Sequence, residues 1–74
     1  MVFNQIIILI REQKKNFTFL DIGSHVGYYS VLCKEFAKDS IVHAFEPNPD
    51  NFLVLNKNAD MYKNFNTHNS AIFN

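Results

Sequence analysis

The order of apolar segments predicts an α/β fold with a parallel sheet. Two short apolar runs, residues 17–22 and 40–46, are each followed by a stretch whose apolar residues recur at helical spacing. Strands that alternate with helices indicate parallel strands joined by right-handed crossovers. The chain has 74 residues, which is enough for one small domain. We therefore expect about three parallel strands with flanking helices, the first half of a doubly wound fold.

The first element is ambiguous. Residues 2–13, VFNQIIILIREQ, carry apolar side chains at helical spacing, namely Phe3, Ile6, Ile7 and Ile10. The β-branched isoleucines fit a strand equally well. The length of this stretch and its charged end favour a helix. Residues 17–22, FTFLDI, then form an apolar run between a polar connector and a glycine, which is typical of a buried strand.

The second half of the chain carries clearer helix signals. Apolar residues recur at helical spacing after Gly27, at Tyr29, Leu32, Cys33 and Phe36. After the strand at residues 40–46, Asn48 can cap a helix in whose first turn Pro49 and Asp50 are favourable. An apolar stripe continues this helix through Phe52, Leu55, Ala59 and Tyr62. Residues 65–73 predict a third strand that is rich in polar residues.

Composition excludes several classes of protein. Seven basic and seven acidic residues give a formal net charge of zero, whereas a nucleic-acid-binding domain carries a basic excess. No apolar run approaches the roughly 20 residues of a membrane-spanning helix, and the first residues, MVFNQ, make a poor signal peptide. A single cysteine, Cys33, favours a reducing compartment. We expect a cytoplasmic protein with neither a membrane nor a nucleic acid as partner.

The loop after the first of these strands has the features of a ligand site. Asp21 ends the apolar run, and Gly23 and Gly27 let the backbone turn sharply and approach a ligand. A dinucleotide site has a G-x-G-x-x-G pattern, but here His25 stands at the second glycine. A carboxylate would also repel a diphosphate, so an ammonium group suits Asp21 better. The alternative is that Asp21 caps the loop or the following helix.

A second acid ends the next strand. Glu46 lies 19 residues after Gly27, where a carboxylate can accept hydrogen bonds from both hydroxyls of a ribose. Pro47 restricts Glu46 to extended backbone geometry. A solvated surface acid is the alternative. A nucleoside with a cationic amino-acid tail fits both acids, and S-adenosylmethionine is such a ligand.

The stretches FLDIGSHVGYYS and VHAFEPNPDNFLVLNKN resemble the FkbM family of S-adenosylmethionine-dependent methyltransferases. The resemblance covers residues 17–74. It implies that residues 1–74 are the N-terminal, cofactor-binding part of a class I methyltransferase domain with a Rossmann-like fold. It also implies methylation of a hydroxyl group on a small molecule or glycan. Catalytic residues and the acceptor pocket are expected beyond Asn74, so that the chain alone would be inactive and marginally stable.

The resemblance also implies a set of cofactor-binding residues. Asp21, Gly23 and Gly27 would shape the methionine pocket, with Ser24, His25 and Tyr28 in the same loop and helix start. Glu46 would hold the ribose, and Pro47 and Asn48 would lie near the adenine. Ser70 and Ala71, near the third strand, are assigned to the adenine side by position alone. No metal site is expected, because the histidines at positions 25, 43 and 68 do not have the spacing of metal ligands.

Two other functions remain open at this level. A fragment of a nicotinamide-dependent oxidoreductase would have a glycine in place of His25. A non-catalytic remnant or an interaction fragment would account for a chain that ends soon after its third strand.

Overall fold

The computed structural model describes residues 5–13 and 16–71. In chain order, these residues form β1 (Ile6–Gln13), β2 (Asn16–Ile22), α1 (Tyr28–Phe36), β3 (Ile41–Phe45), α2 (Pro49–Ala59) and β4 (Phe65–His68). The four strands make one sheet in the order β1-β2-β3-β4. Strands β2, β3 and β4 are parallel, as the sequence predicts, whereas β1 runs antiparallel to β2. The sheet is therefore mixed.

The helix predicted for residues 2–13 is wrong. Residues 6–13 form β1, and the first residues of the predicted helix, including Phe3, lie outside the described part. Ile6 pairs with Ile22, and Ile10 pairs with Thr18. Five consecutive apolar residues, four of them isoleucines, suit a strand, because β-branched side chains lose χ1 freedom in a helix. Pairing with β2 decides between helix and strand for this run. Strand β2 follows after a short connector and pairs with the run along its length.

Both helices pack on one face of the sheet. The connections β2-α1-β3 and β3-α2-β4 step across the sheet in the same direction, and right-handed crossovers of this kind place their helices on the same side. The core lies between that face and the helices. Its buried members are Phe19, Val42, Ala44, Leu55, Ala59 and Phe65. Side chains of β1 on both faces, among them Ile8 and Leu9, are exposed.

The third strand predicted for residues 65–73 is shorter in the structure. Strand β4 ends at His68, and residues 72–74 lie outside the described part. Asn69 turns its side chain back to donate hydrogen bonds to the carbonyl oxygens of Glu46 and Pro47, at 2.9 and 3.3 Å. Asn69 thereby links the end of β4 to the segment between β3 and α2. Neither α1 nor α2, the helices of the described residues, is long and apolar enough to cross a membrane.

Candidate functional site

The loop between β2 and α1 is held against the end of β3. The backbone N–H groups of Gly23 and Ser24 both donate to the carbonyl oxygen of Phe45, at 2.9 and 3.0 Å. The backbone takes positive φ values at Gly23 (74°), His25 (55°) and Gly27 (89°). Glycine adopts these values without strain, and histidine is one of the residues found there more often than most. The loop therefore folds back on itself over the carboxyl ends of two parallel strands.

Gly27 is required by space as well as by backbone conformation. A Cβ atom at this position would lie 2.6 Å from Cδ1 of Leu55, which is fully buried in α2. Carbon atoms that are not bonded to each other approach to about 3.5 Å. Gly27 precedes the first residue of α1, so the close approach sets the distance between the start of α1 and α2.

Asp21 lies at the end of β2 with no exposed surface. Its Oδ2 accepts a hydrogen bond from the Ser30 hydroxyl in α1 (2.6 Å), and its Oδ1 accepts one from the Gln5 side-chain amide (2.5 Å). The residue predicted to contact a ligand therefore ties β2 to α1 and to the residue preceding β1. The geometry agrees with the alternative in which Asp21 organises the loop, and its two hydrogen-bond partners among the described residues are neutral.

Glu46 follows β3 and is 4% exposed. Its Oε1 accepts from the backbone N–H of His25 (2.6 Å), and its Oε2 accepts from the backbone N–H of Asn48 (2.9 Å). It is not a solvated surface acid. The carboxylate joins the loop after β2 to the start of α2, and a carboxylate with about four lone-pair positions can still accept from a ligand.

The residues after Glu46 start α2. The Asn48 side chain accepts hydrogen bonds from the backbone N–H groups of Asp50 and Asn51, at 2.9 and 3.0 Å, and Pro49 occupies the first helical turn. The predicted cap is confirmed. Pro47 is exposed beside Glu46. Ser70 and Ala71 are half-buried and follow β4 at this same end of the sheet, next to the Asn69 side chain that contacts Glu46 and Pro47.

A pocket of about 350 Å³ opens beside the loop. Three of the predicted residues line it, Ser24, His25 and Tyr28, of which Tyr28 is 64% exposed. Its remaining lining residues are Gln5, Val26 and Tyr29. None of these six side chains is a lysine or an arginine, so the pocket lining offers no ammonium or guanidinium group to a phosphate.

Sequence reasoning missed two residues that complete the site. Gln5 and Ser30 hold the carboxylate of Asp21. Ser30 lies nine residues after Asp21, at the first turn of a predicted helix, so its position next to the strand end could have been proposed. Gln5 had no comparable signal, because its place depends on β1, which the sequence favoured as a helix.

A histidine pair lies on the opposite face, at the same end of the sheet. Nδ1 of His43 and Nε2 of His68 are 3.1 Å apart in a hydrogen bond between β3 and β4. The His68 ring also stacks on Phe45, with ring centroids 4.5 Å apart. Burial, and secondarily the nearby His43, lowers the pKa of His68 below its usual value of 6.5. Within residues 5–13 and 16–71, no three histidine, cysteine or acidic side chains converge on a metal position.

The parallel strands β2, β3 and β4, with a glycine-containing loop across their carboxyl ends, are consistent in part with a Rossmann-like fold; the antiparallel β1 departs from it. Over 53 residues, or 72% of its length, the chain is 38% identical to the hexuronic acid methyltransferase AglP of Haloferax volcanii. The match covers 21% of that protein, so the chain spans about a fifth of the relative's length. No family model and no solved structure matches the chain.

Proposed function

We propose that this chain is the cofactor-binding part of an S-adenosylmethionine-dependent methyltransferase. The observation that carries the proposal is the 38% identity to a methyltransferase over most of the chain. The two acids at neighbouring strand ends, separated by the loop with Gly23 and Gly27, supply a site of suitable chemistry. The FkbM-type motifs FLDIGSHVGYYS and FEPNP agree with the same class.

The residues of the site fit this cofactor better than they fit a dinucleotide. S-adenosylmethionine carries an ammonium group, a sulfonium that supplies the methyl group, and a ribose, but no phosphate. Two carboxylates and a pocket lined by neither lysine nor arginine suit a ligand with cationic groups and hydroxyls. Glu46 would hold the ribose hydroxyls with the lone pairs that its backbone partners leave. Asp21 would face the ammonium group, and Ser24, His25 and Tyr28 would enclose the amino-acid end.

The acceptor belongs to the same proposal at a finer level. We infer a hydroxyl group of a small molecule or glycan, methylated on oxygen. The name of the relative points to a sugar acid as one member of that class. The exposed ring of Tyr28 lies at the pocket edge, where a sugar ring could stack on it.

Calorimetric titration of the chain with S-adenosylhomocysteine and, separately, with NAD tests the proposal. S-adenosylhomocysteine keeps the ammonium group and the ribose and cannot react. We expect it to bind with a measurable dissociation constant and NAD to show no heat of binding. Binding of NAD without a response to S-adenosylhomocysteine would favour the oxidoreductase fragment, and binding of neither would favour the non-catalytic remnant.

A further inference from the structure

Gln5 occupies a defined position in front of Asp21. It precedes β1, and the register Ile6 to Ile22 and Ile7 to Asp21 brings it to the carboxyl end of β2. Residues 5 and 7 of an extended segment point to the same face of a sheet. The side chain of Gln5 therefore lies on the helix-covered face beside Asp21, where its Nε2 donates to Oδ1 at 2.5 Å.

The pocket beside the loop reaches Gln5 but not Asp21. Gln5 is one of the residues that line the pocket, whereas Asp21 is not, and Asp21 has no exposed surface. Ser30 holds the other carboxylate oxygen from the side of α1. The Gln5 side chain thus lies between the pocket, which it lines, and Oδ1 of Asp21, to which it donates a hydrogen bond.

We propose that, without ligand, the Gln5 amide occupies the position beside Asp21 that the ligand's ammonium group takes when it binds. Ligand binding then has to break the hydrogen bond from Gln5 to Asp21. The inference rests on the proposed function, because it takes an amino-acid ligand as the occupant of the pocket. An amide N–H and an ammonium N–H make the same kind of contact to a carboxylate, but the ammonium bond joins two charges and is stronger. Among the described residues, the hydrogen-bond partners of the Asp21 carboxylate, Gln5 and Ser30, are both neutral, and buried charges are ordinarily paired. An ammonium group would bring a positive charge to this carboxylate.

Displacement of Gln5 has a measurable consequence for affinity. The ligand gains its bond to Asp21 but first breaks the bond from Gln5, so that removal of the amide should tighten binding. A hydrogen bond to a charged group contributes about 1.5 kcal/mol or more, which corresponds to roughly a tenfold change in the dissociation constant. The same removal takes a donor from a buried carboxylate and lowers the stability of the ligand-free protein.

The test compares Gln5→Ala with the unchanged chain by calorimetry, using two ligands. S-adenosylhomocysteine has the ammonium group, and 5′-methylthioadenosine has the nucleoside and sulfur without the amino acid. We expect Gln5→Ala to bind S-adenosylhomocysteine about tenfold more tightly, to bind 5′-methylthioadenosine with unchanged affinity, and to melt at a lower temperature. The matched control is Asn58→Ala, which removes a side-chain amide bonded to the carbonyl oxygen of Val26 in the same loop (2.7 Å). It should lower the melting temperature without tightening binding.

Several outcomes separate this inference from the proposed function. If the unchanged chain binds S-adenosylhomocysteine and Gln5→Ala binds it equally or less well, then Gln5 does not compete, and the inference fails while the function stands. If neither protein binds either ligand, both fail. A measurement without substitution gives the same decision should Gln5→Ala not fold. The side-chain amide resonances of Gln5 should shift on addition of S-adenosylhomocysteine and stay in place with 5′-methylthioadenosine, and unmoved resonances with the first ligand would overturn the inference.

Discussion

Substitution of Gly27 by alanine should remove most of the stability of this fold. Two effects add. A non-glycine residue at φ 89° is strained, at a cost of about 1–2 kcal/mol. The new Cβ would lie 2.6 Å from Cδ1 of Leu55, about 1 Å inside contact distance, and Leu55 has no exposed surface toward which it could move. Overpacking of this kind costs about 1–3 kcal/mol.

The two effects together give a loss of about 2–5 kcal/mol in the free energy of unfolding. A domain of this size rarely has more than about 3–5 kcal/mol in total. We therefore expect Gly27→Ala to be largely unfolded in water at room temperature. Urea unfolding followed by circular dichroism measures the loss, with a stabilising osmolyte added where the variant needs it. Val26→Ala is the control, since Val26 is an exposed neighbour in the same loop and its truncation should cost little.

A double-mutant cycle separates the steric part from the backbone part. Leu55→Ala alone creates a cavity and should cost about 2–5 kcal/mol. In the Gly27→Ala background it should cost about 1–3 kcal/mol less, because the shortened side chain makes room for the new methyl group. A Gly27→Ala loss below about 1 kcal/mol, or additive effects in the cycle, would show that the loop relaxes and that the contact with Leu55 does not fix it.

Two further predictions concern the acids and histidines at this end of the sheet. Glu46→Gln places an amide donor against one of the backbone N–H groups of His25 and Asn48, so it should lower the free energy of unfolding by about 1–3 kcal/mol. The same substitution should weaken S-adenosylhomocysteine binding. An unchanged urea midpoint would contradict the loss of stability, and an unchanged dissociation constant would contradict the loss of binding. The lowered pKa of His68 means that the unfolded chain binds more protons than the folded chain once the pH falls below about 6.5, so stability should fall in that direction. Urea midpoints measured from about pH 7.5 to about pH 5.5 should show this slope, and it should be flatter in His68→Asn than in the control His25→Asn; equal slopes would exclude the His43–His68 pair as its origin.

The parallel part of the fold could be predicted because its signals are local. A bounded apolar run marks β2, and Asn48 with Pro49 marks the start of α2. Neither signal depends on contacts with distant parts of the chain. Strand β1 lacks such a signal. Apolar residues at every position of IIILI satisfy helical and strand periodicity equally, and the choice depends on hydrogen bonds to β2. The same dependence hides Gln5, since only the hairpin brings it to Asp21.

The positions of Asp21 and Glu46 at neighbouring strand ends could be predicted from the sequence, but the contacts of these acids could not. Asp21 and Glu46 were predicted to face a ligand because carboxylates at strand ends beside a glycine loop can receive cations and hydroxyls. The same carboxylates can receive backbone N–H groups and neutral side chains, and in the structure they do so at His25, Asn48 and Ser30. Loop organisation and ligand binding thus call for the same residue types at the same positions. The two roles differ in how many acceptor positions the protein's own donors leave open, and that number depends on contacts between distant residues. For Asp21, the contact that decides it is the one with Gln5, which is why substitution of Gln5 distinguishes a carboxylate that only organises the loop from one that also binds a ligand.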